Sequence, residues 1–346
     1  MTGIIPKRIR TAASVLLGRT QLKTNRGPIP PISEEEAAEA RSFFPLKKFF
    51  VFGSARSGTT LLSRLINVHP QVLCNWQAHF FSRPPLLKSL VNTPEVEEWL
   101  RRDSNRWNRG KDLSPVVLRA AADYILEREA RRAGKCIVGD KSPNSYSRGQ
   151  AVRNMHDVYP DGTILHIIRD GRHAVLSRRF QFFMDNESQL TREDKAFRSG
   201  FIADPESYLS GKRSLFGEEK MHFVARQWAE TVNETDREGR RLYGDRYLSL
   251  RYEDLLANPW QEMQRLWEFL GAGGLDRNLQ QAMETEMQSN TSTDWQREKN
   301  HEVMQAMQKY PKATWQAMFT ARDREIFKEE AGQVLVDWHY EKDLNW

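Results

Sequence analysis

Cysteine is nearly absent from this sequence: 346 residues contain only Cys74 and Cys136. Neither sits in a metal-ligand or redox spacing, so no disulfide framework or cysteine-held metal is expected, and the expected compartment is reducing and cytoplasmic. Long apolar runs are missing as well. None approaches the roughly 20 residues that a bilayer-spanning helix needs, and the short patch 15–17 is no secretory core. Nor does one sign of charge dominate, since 52 basic residues stand against 46 acidic ones, a net +6 spread along the chain. With no basic run interleaved with aromatics, no nucleic acid partner is expected, although the positive balance suits an anionic ligand. Internal repeats and low-complexity tracts are also missing. At 39% hydrophobic and 28% charged residues, a chain of this length has the apolar material for a large globular core.

One stretch, 47–67, carries most of the information. Phe49, Phe50, Val51 and Phe52 form the short apolar run of a buried parallel strand, and Gly53 and Gly58 bracket a turn. From Thr59 the period is helical, with Leu61, Leu62, Leu65 and Ile66 on one stripe. Strand, tight loop and helix in that order set loop 54–58 at a helix N-terminus, where unpaired N–H groups and the macrodipole attract anions. The spacing Gly53-x-x-x-x-Gly58-Thr59-Thr60 is that of the nucleotide-binding loop, with Thr59 where its lysine would stand. Arg56 restores a cation, and its planar fork suits a tetrahedral oxyanion. On this stretch alone, an ordinary strand-to-helix turn with a surface arginine remains the alternative.

Residues 1–32 read as a basic arm, Lys7 to Arg26, followed by a linker with Pro28, Pro30 and Pro31; peripheral membrane contact and a frayed terminus are its two readings. Residues 33–346 read as one α/β domain. Ser33 with Glu36 makes a capping box for a helix from Glu34 to about Phe43. Further strands are expected at 71–74, 136–139, 163–168 and 247–250, a helical insertion at 84–135, and helices from 171, at 222–243, around Met263 to Leu270, and at 322–336. The polar, aperiodic stretch 190–220 reads as a mobile loop. This alternation implies a mostly parallel central sheet flanked by helices. Open parallel sheets bind ligands beyond the carboxyl ends of their strands, so Arg56, Lys141 and Arg169, each just past a strand, are expected to converge on one crevice.

Together these residues resemble the sulfotransferases that use 3′-phosphoadenosine 5′-phosphosulfate (PAPS) as donor, over roughly residues 47–275. Arg56-Ser57-Gly58-Thr59-Thr60 is similar to the loop that grips the 5′-phosphosulfate, and Arg169 with Ser177 to the clamp on the 3′-phosphate. Asp140-Lys141-Ser142-Pro143-Asn144-Ser145-Tyr146 resembles a segment of the glycosaminoglycan and tyrosylprotein sulfotransferases, and Arg251-Tyr252-Glu253-Asp254-Leu255 another recurring family segment. The resemblance implies the P-loop-like sulfotransferase fold and transfer of a sulfuryl group to a hydroxyl or amine of a small molecule, lipid or carbohydrate. Tyr252, in the last of these segments, is a cofactor-binding candidate, and by itself reads as a core tyrosine that packs under the site. In-line sulfuryl transfer asks the protein mainly to stabilise the leaving oxygen. Lys141, with Arg56 beside it, is the candidate, and no metal is needed.

The pattern breaks at one position. Relatives reading Glu-x-His-Phe-Phe use the glutamate as general base, and here the matching residue is Gln77, whose amide cannot take a proton at neutral pH. His79 is the leading substitute, its other reading being a histidine buried at the sheet edge; His69 and His166 come after it. A nucleotide-binding protein without sulfuryl transfer, and a P-loop kinase or NTPase, are the alternatives. The latter suffers from Thr59 in place of lysine.

Overall fold

Five short strands carry the apolar runs: β1 (Lys47–Phe52), β2 (Val72–Trp76), β3 (Ile137–Lys141), β4 (Thr163–Ile168) and β5 (Tyr247–Arg251). They form one sheet in the order β2-β3-β1-β4-β5, and all four pairings are parallel. The computed structural model describes residues 28–82, 86–102, 108, 110–185, 187–289, 303 and 314–346; the basic part of the arm and most of 289–314 lie outside them.

Side chains alternate across a strand, and β1 shows it. Phe49 and Val51 face the helices Thr59–Val68 and Pro259–Leu270 through Leu62, Leu65, Ile66, Leu266 and Trp267. Phe50 and Phe52 face the opposite layer, where helices Ser114–Arg132 and Gly149–His156 contribute Leu118, Ala122, Leu126, Val152 and Met155. Burying both faces is what a parallel sheet demands, and it explains why the strands read as apolar runs. The chain leaves β1 toward β2 on one side and later crosses to β4 on the other. The carboxyl ends of β1 and β4 are therefore neighbours at a point where the connections diverge, the usual crevice of an open α/β sheet.

Several expectations need correction. The stretch 190–220 is not a loop: it holds helices Arg192–Ala203 and Pro205–Leu209. A reciprocal Thr191–Asp194 capping box starts the first, Asp204 caps the second, and Phe201, Tyr208, Leu209, Leu215 and Phe216 are buried. Its apolar residues are few but spaced to meet a third core layer, so polarity misled where capping chemistry was informative. Strand β3 runs through Lys141, which is the last residue of a strand rather than part of the turn after it. Helices Gly149–His156 and Arg277–Gln288 were not anticipated, and the long helix begins at Glu218. The insertion 84–135 is helical as read, at Leu86–Ser89, Pro94–Arg101 and Ser114–Arg132. The helix Glu34–Phe43 has both halves of its capping box.

At the opposite end of β1, Lys48 is buried with its Nζ 2.6 Å from Glu127 and 3.4 Å from Asp123, both buried too. Removing one partner of such a cluster strands the others' charge in a low-dielectric interior. Lys48→Met is expected to lower unfolding stability by about 3–5 kcal/mol. By contrast, Arg102→Ala, which breaks the exposed Arg102–Glu98 pair, is expected to cost less than about 1 kcal/mol. Urea denaturation of both variants checks this, and comparable costs would contradict it.

Candidate active site

The loop after β1 is moored before it meets any ligand. Gly53 N–H donates to Asn144 Oδ1 at 3.1 Å, and Ala55 N–H to Ser145 Oγ at 2.7 Å, tying the loop to the segment after β3. Inside it, Ser57 N–H donates to Ser54 O at 3.1 Å. Gly58 is the N-cap of helix Thr59–Val68 at φ +89°, and no side chain caps that helix. A Cβ at Gly58 would stand 2.2 Å from the Tyr252 ring, so both the backbone angle and the close approach demand glycine. The first-turn amides consequently lack intrahelical acceptors, and Ser57 Oγ is buried with no hydrogen-bond partner. Together these make an anion cradle with unused donors.

One cation and a hydroxyl join the cradle from β4 and its helix, where they meet Arg56 of the loop itself. Arg169, just past β4, donates from Nη1 to Arg56 O at 3.1 Å and stacks its guanidinium 4.7 Å from the Tyr252 ring centre. Arg56 donates from Nε to Ser177 Oγ at 2.9 Å, reaching the helix Gly171–Asp185. Arg56, Arg169, Ser177 and Tyr252, far apart in sequence, thus meet above the ends of β1 and β4. Arg56 Nε is engaged on the Ser177 side.

Lys141 closes the other flank. Its side chain is buried, with Nζ 3.5 Å from Thr60 Oγ1 and 4.0 Å from the centre of the Trp76 ring. Burial pushes its pKa down to about 8, against the opposing pull of Cys74 and Asp140. Buried Asp140 braces the neighbouring turn: it accepts from Ala78 N–H at 2.9 Å and from Ser142 Oγ at 2.5 Å, and Ser142 Oγ accepts from His79 N–H at 2.9 Å. Gln77 N–H continues the ladder to Lys141 O at 2.9 Å.

A model of the sulfotransferase family matches residues 48–277, which is more than half of the chain and contains every residue just described. The chain belongs to the sulfotransferase family. It is 24% identical over 227 residues to the protein-tyrosine sulfotransferase of Drosophila melanogaster, covering 64% of this chain and 37% of that one. To protein-tyrosine sulfotransferase 2 of Gallus gallus it is 23% identical over 233 residues, covering 66% of this chain and 52% of the relative. The match therefore spans only about a third to a half of the length of these relatives. Among solved structures, mouse sulfotransferase SULT7A1 complexed with PAP overlaps 88% of this chain and 94% of its own, at 16% identity and a TM-score of 0.44. A sulfotransferase from Alicyclobacillus acidocaldarius overlaps 72% and 98%, at 20% identity and a TM-score of 0.37. Overlaps this loose establish no detail of the site.

In this family member the turn 77–79 is conformationally unusual. Gln77 is exposed at φ +55° and His79 half-buried at φ +51°. Five non-glycine residues have positive φ among the described residues, and three of them, Arg56, Gln77 and His79, belong to this edge. Such angles persist only where the surroundings impose them, in the turn 77–79 through the Asp140 brace. His79 Nδ1 lies 2.9 Å from Ser82 Oγ. His69 and His166 have structural surroundings: His69 Nε2 lies 3.0 Å from Gly273 O, and His166, whose pKa burial pushes down to about 4, lies 2.8 Å from the Tyr247 hydroxyl. Among the described residues no group of three or more His, Cys, Asp or Glu is placed to hold a metal, and no helix is long and apolar enough to cross a membrane.

Sequence reasoning missed Trp76. It is 57% exposed yet covers the Lys141 ammonium; a large aromatic as the last residue of an edge strand, directly before Gln77, was the available signal. Because folding lowers the Lys141 pKa, the unfolded chain binds the proton more tightly between about pH 8 and its ordinary value near 10.5. This group therefore raises stability as pH climbs through that window. Trp76→Ala opens Nζ to water, and since burial is the larger influence, the Lys141 pKa is expected to move up toward 10.5. NMR titration of reductively methylated protein reads this, and an unmoved or lowered pKa would show that the ring does not seal the site.

Proposed function

We propose that this chain transfers a sulfuryl group from PAPS to a hydroxyl or amine acceptor. The observation that carries the reading is the pairing of two anion-holding devices a short distance apart: an uncapped helix N-terminus after β1, and Arg169 with Ser177 after β4. A donor phosphorylated at both its 5′ and 3′ positions calls for such a pair, whereas a nucleoside triphosphate places its charge along one chain. The buried, unpartnered Ser57 Oγ and the side-chain-free cap at Gly58 fit a ligand that accepts hydrogen bonds at the loop. Membership of the sulfotransferase family supports sulfuryl transfer in general.

The reaction forms a bond from the acceptor's oxygen or nitrogen to sulfur, breaks the bond between sulfur and the bridging oxygen of the donor's phosphate, and releases the acceptor's proton. The residues divide this work. Thr59 and Thr60 amides, with Ser57, bind the 5′ end, and Arg169 with Ser177 binds the 3′-phosphate while Tyr252 supports both from below. Arg56 spans the two and adds positive charge. Lys141, still protonated at neutral pH with a pKa near 8, puts an ammonium in a site screened from water, where it stabilises charge developing on the leaving oxygen more than it would in solvent. On the acceptor side, His79 is the candidate to take the proton, and Gln77 orients the acceptor by hydrogen bonding. The exposed amide at Gln77 is also what favours the second reading, a nucleotide-binding relative without transfer.

Sulfate-transfer assays separate these roles. Lys141→Ala is expected to lower kcat about 10²- to 10³-fold with little change in donor KM, because its charge matters most in the transition state. Because Gln77 orients the acceptor, Gln77→Glu is expected to leave the rate unchanged or lower it; a raised rate would show instead a site that merely lacks its base. No transfer to any hydroxyl or amine by the unmodified protein, or a Lys141→Ala effect confined to KM, would contradict the assignment.

A further inference from the structure

The helix Ala321–Asp337 ends in a tight reversal that sends the following residues back toward the strand ends. His339 N–H donates to Val336 O at 2.9 Å and Tyr340 N–H to Leu335 O at 2.8 Å, with His339 itself at φ +57°. This is the hydrogen-bond pattern of a helix stop that ordinarily uses glycine. A histidine in that conformation is strained, and the contacts made just beyond it hold the turn in place.

Those contacts converge on Arg169 and the start of the helix that follows it. The Tyr340 hydroxyl donates to Glu253 Oε2 at 3.0 Å. Glu253 Oε1 accepts from Asp170 N–H at 3.2 Å, the N–H of the peptide that joins Arg169 to Asp170. Glu341 pairs with Arg172, which is buried against the rings of Trp315 and Trp346 and donates to both carboxylate oxygens of Asp170. Asp170 Oδ1 also accepts from Arg172 N–H at 2.9 Å, inside the first turn of the helix that carries Ser177.

Arg169 is therefore gripped at three points: its guanidinium face by Tyr252, its Nη1 by Arg56 O, and its main chain by Glu253. Tyr252 and Glu253 are consecutive residues opening the helix Tyr252–Ala257, so one turn holds both the guanidinium and the backbone from which it hangs. Direction matters for such a group, because a planar fork meets a phosphate with paired hydrogen bonds only when it arrives aligned. Both oxygens of Glu253 already accept hydrogen bonds within the protein, which makes the carboxylate a brace between the β4 end and the segment 338–346.

Resting on the functional reading above, we infer that Glu253 and Tyr340 are positioning residues for the donor's 3′-phosphate: they fix the main chain of Arg169 and through it the preference for a nucleotide phosphorylated at that position.

Calorimetric titration of 3′,5′-ADP and 5′-AMP against Glu253→Ala, Glu253→Gln and Tyr340→Phe tests this, together with NMR hydrogen exchange at the Asp170 amide. Glu253→Ala is expected to cut the preference for 3′,5′-ADP about tenfold with 5′-AMP affinity unchanged within about twofold, the worth of one hydrogen bond to a charged group. Glu253→Gln keeps an oxygen able to accept from Asp170 N–H and should retain most of the preference, while Tyr340→Phe should lose about threefold. A merely structural role would weaken both nucleotides together or leave their ratio alone; either result overturns the inference, as would a Glu253→Gln protein no better than Glu253→Ala. If Glu253→Ala does not fold, Tyr340→Phe, which removes a single oxygen, decides by the same ratio. Equal affinities for the two nucleotides in the unmodified protein would sink the functional reading instead. The hold on Arg169 is then judged by exchange alone: a faster Asp170 amide in Glu253→Ala than in Glu253→Gln supports it, and equal exchange overturns it.

Discussion

An uncapped helix N-terminus must be kept open for an anion, and much of this structure follows from that constraint. Free amides at the start of helix Thr59–Val68 are an electrostatic asset only if no side chain satisfies them and the backbone comes close enough to a ligand. Gly58 meets both conditions, at φ +89° and without a cap. The space it leaves is taken by Tyr252 from beyond β5, whose ring in turn supports the Arg169 guanidinium. Gly53 and Ala55 are anchored by Asn144 and Ser145 from beyond β3. A single loop is thus fixed by residues following three other strands, an arrangement open to a parallel sheet because all its carboxyl ends lie on one side.

Charge at the site is held in place by burial as much as by pairing. Lys141 and Asp140 end β3 side by side, one pushed down in pKa and the other up, both chiefly by desolvation. Asp140 is used for architecture: its oxygens collect Ala78 N–H and the Ser142 hydroxyl, and through Ser142 the amide of His79. Lys141 faces Thr60 and the underside of Trp76. The same two-residue strand end therefore sets both the cation beside the cradle and the backbone of the turn on which Gln77 and His79 are carried.

The parallel sheet and its crevice were legible in the sequence because both-face burial leaves apolar runs and the phosphate-loop spacing is local. Arg56, Lys141 and Arg169 were named from position relative to a strand end, and Ser177 and Tyr252 from the family resemblance; the fold gathers those positions. What was not legible depended on tertiary partners. The helices within 190–220 are held by isolated buried residues such as Phe201 and Tyr208 and by Arg179 reaching Asp194, and no periodicity announces such contacts. Trp76 reads as one aromatic among many until the sheet sets it over Lys141. The direction of Arg56, toward Ser177, likewise depends on which helix happens to face the loop.

The central claim is that the cradle after β1 and the Arg169–Ser177 pair after β4 hold the two phosphorylated ends of one nucleotide. Isothermal titration of 3′,5′-ADP against 5′-AMP tests it most directly. The account predicts that 3′,5′-ADP binds about 10- to 150-fold more tightly, corresponding to roughly 1.5–3 kcal/mol for the charge-assisted contacts to the second phosphate. It also predicts that Arg169→Ala removes most of that difference while leaving 5′-AMP affinity nearly unchanged. Equal affinities for the two nucleotides in the unmodified protein, or a preference that survives Arg169→Ala intact, would contradict it.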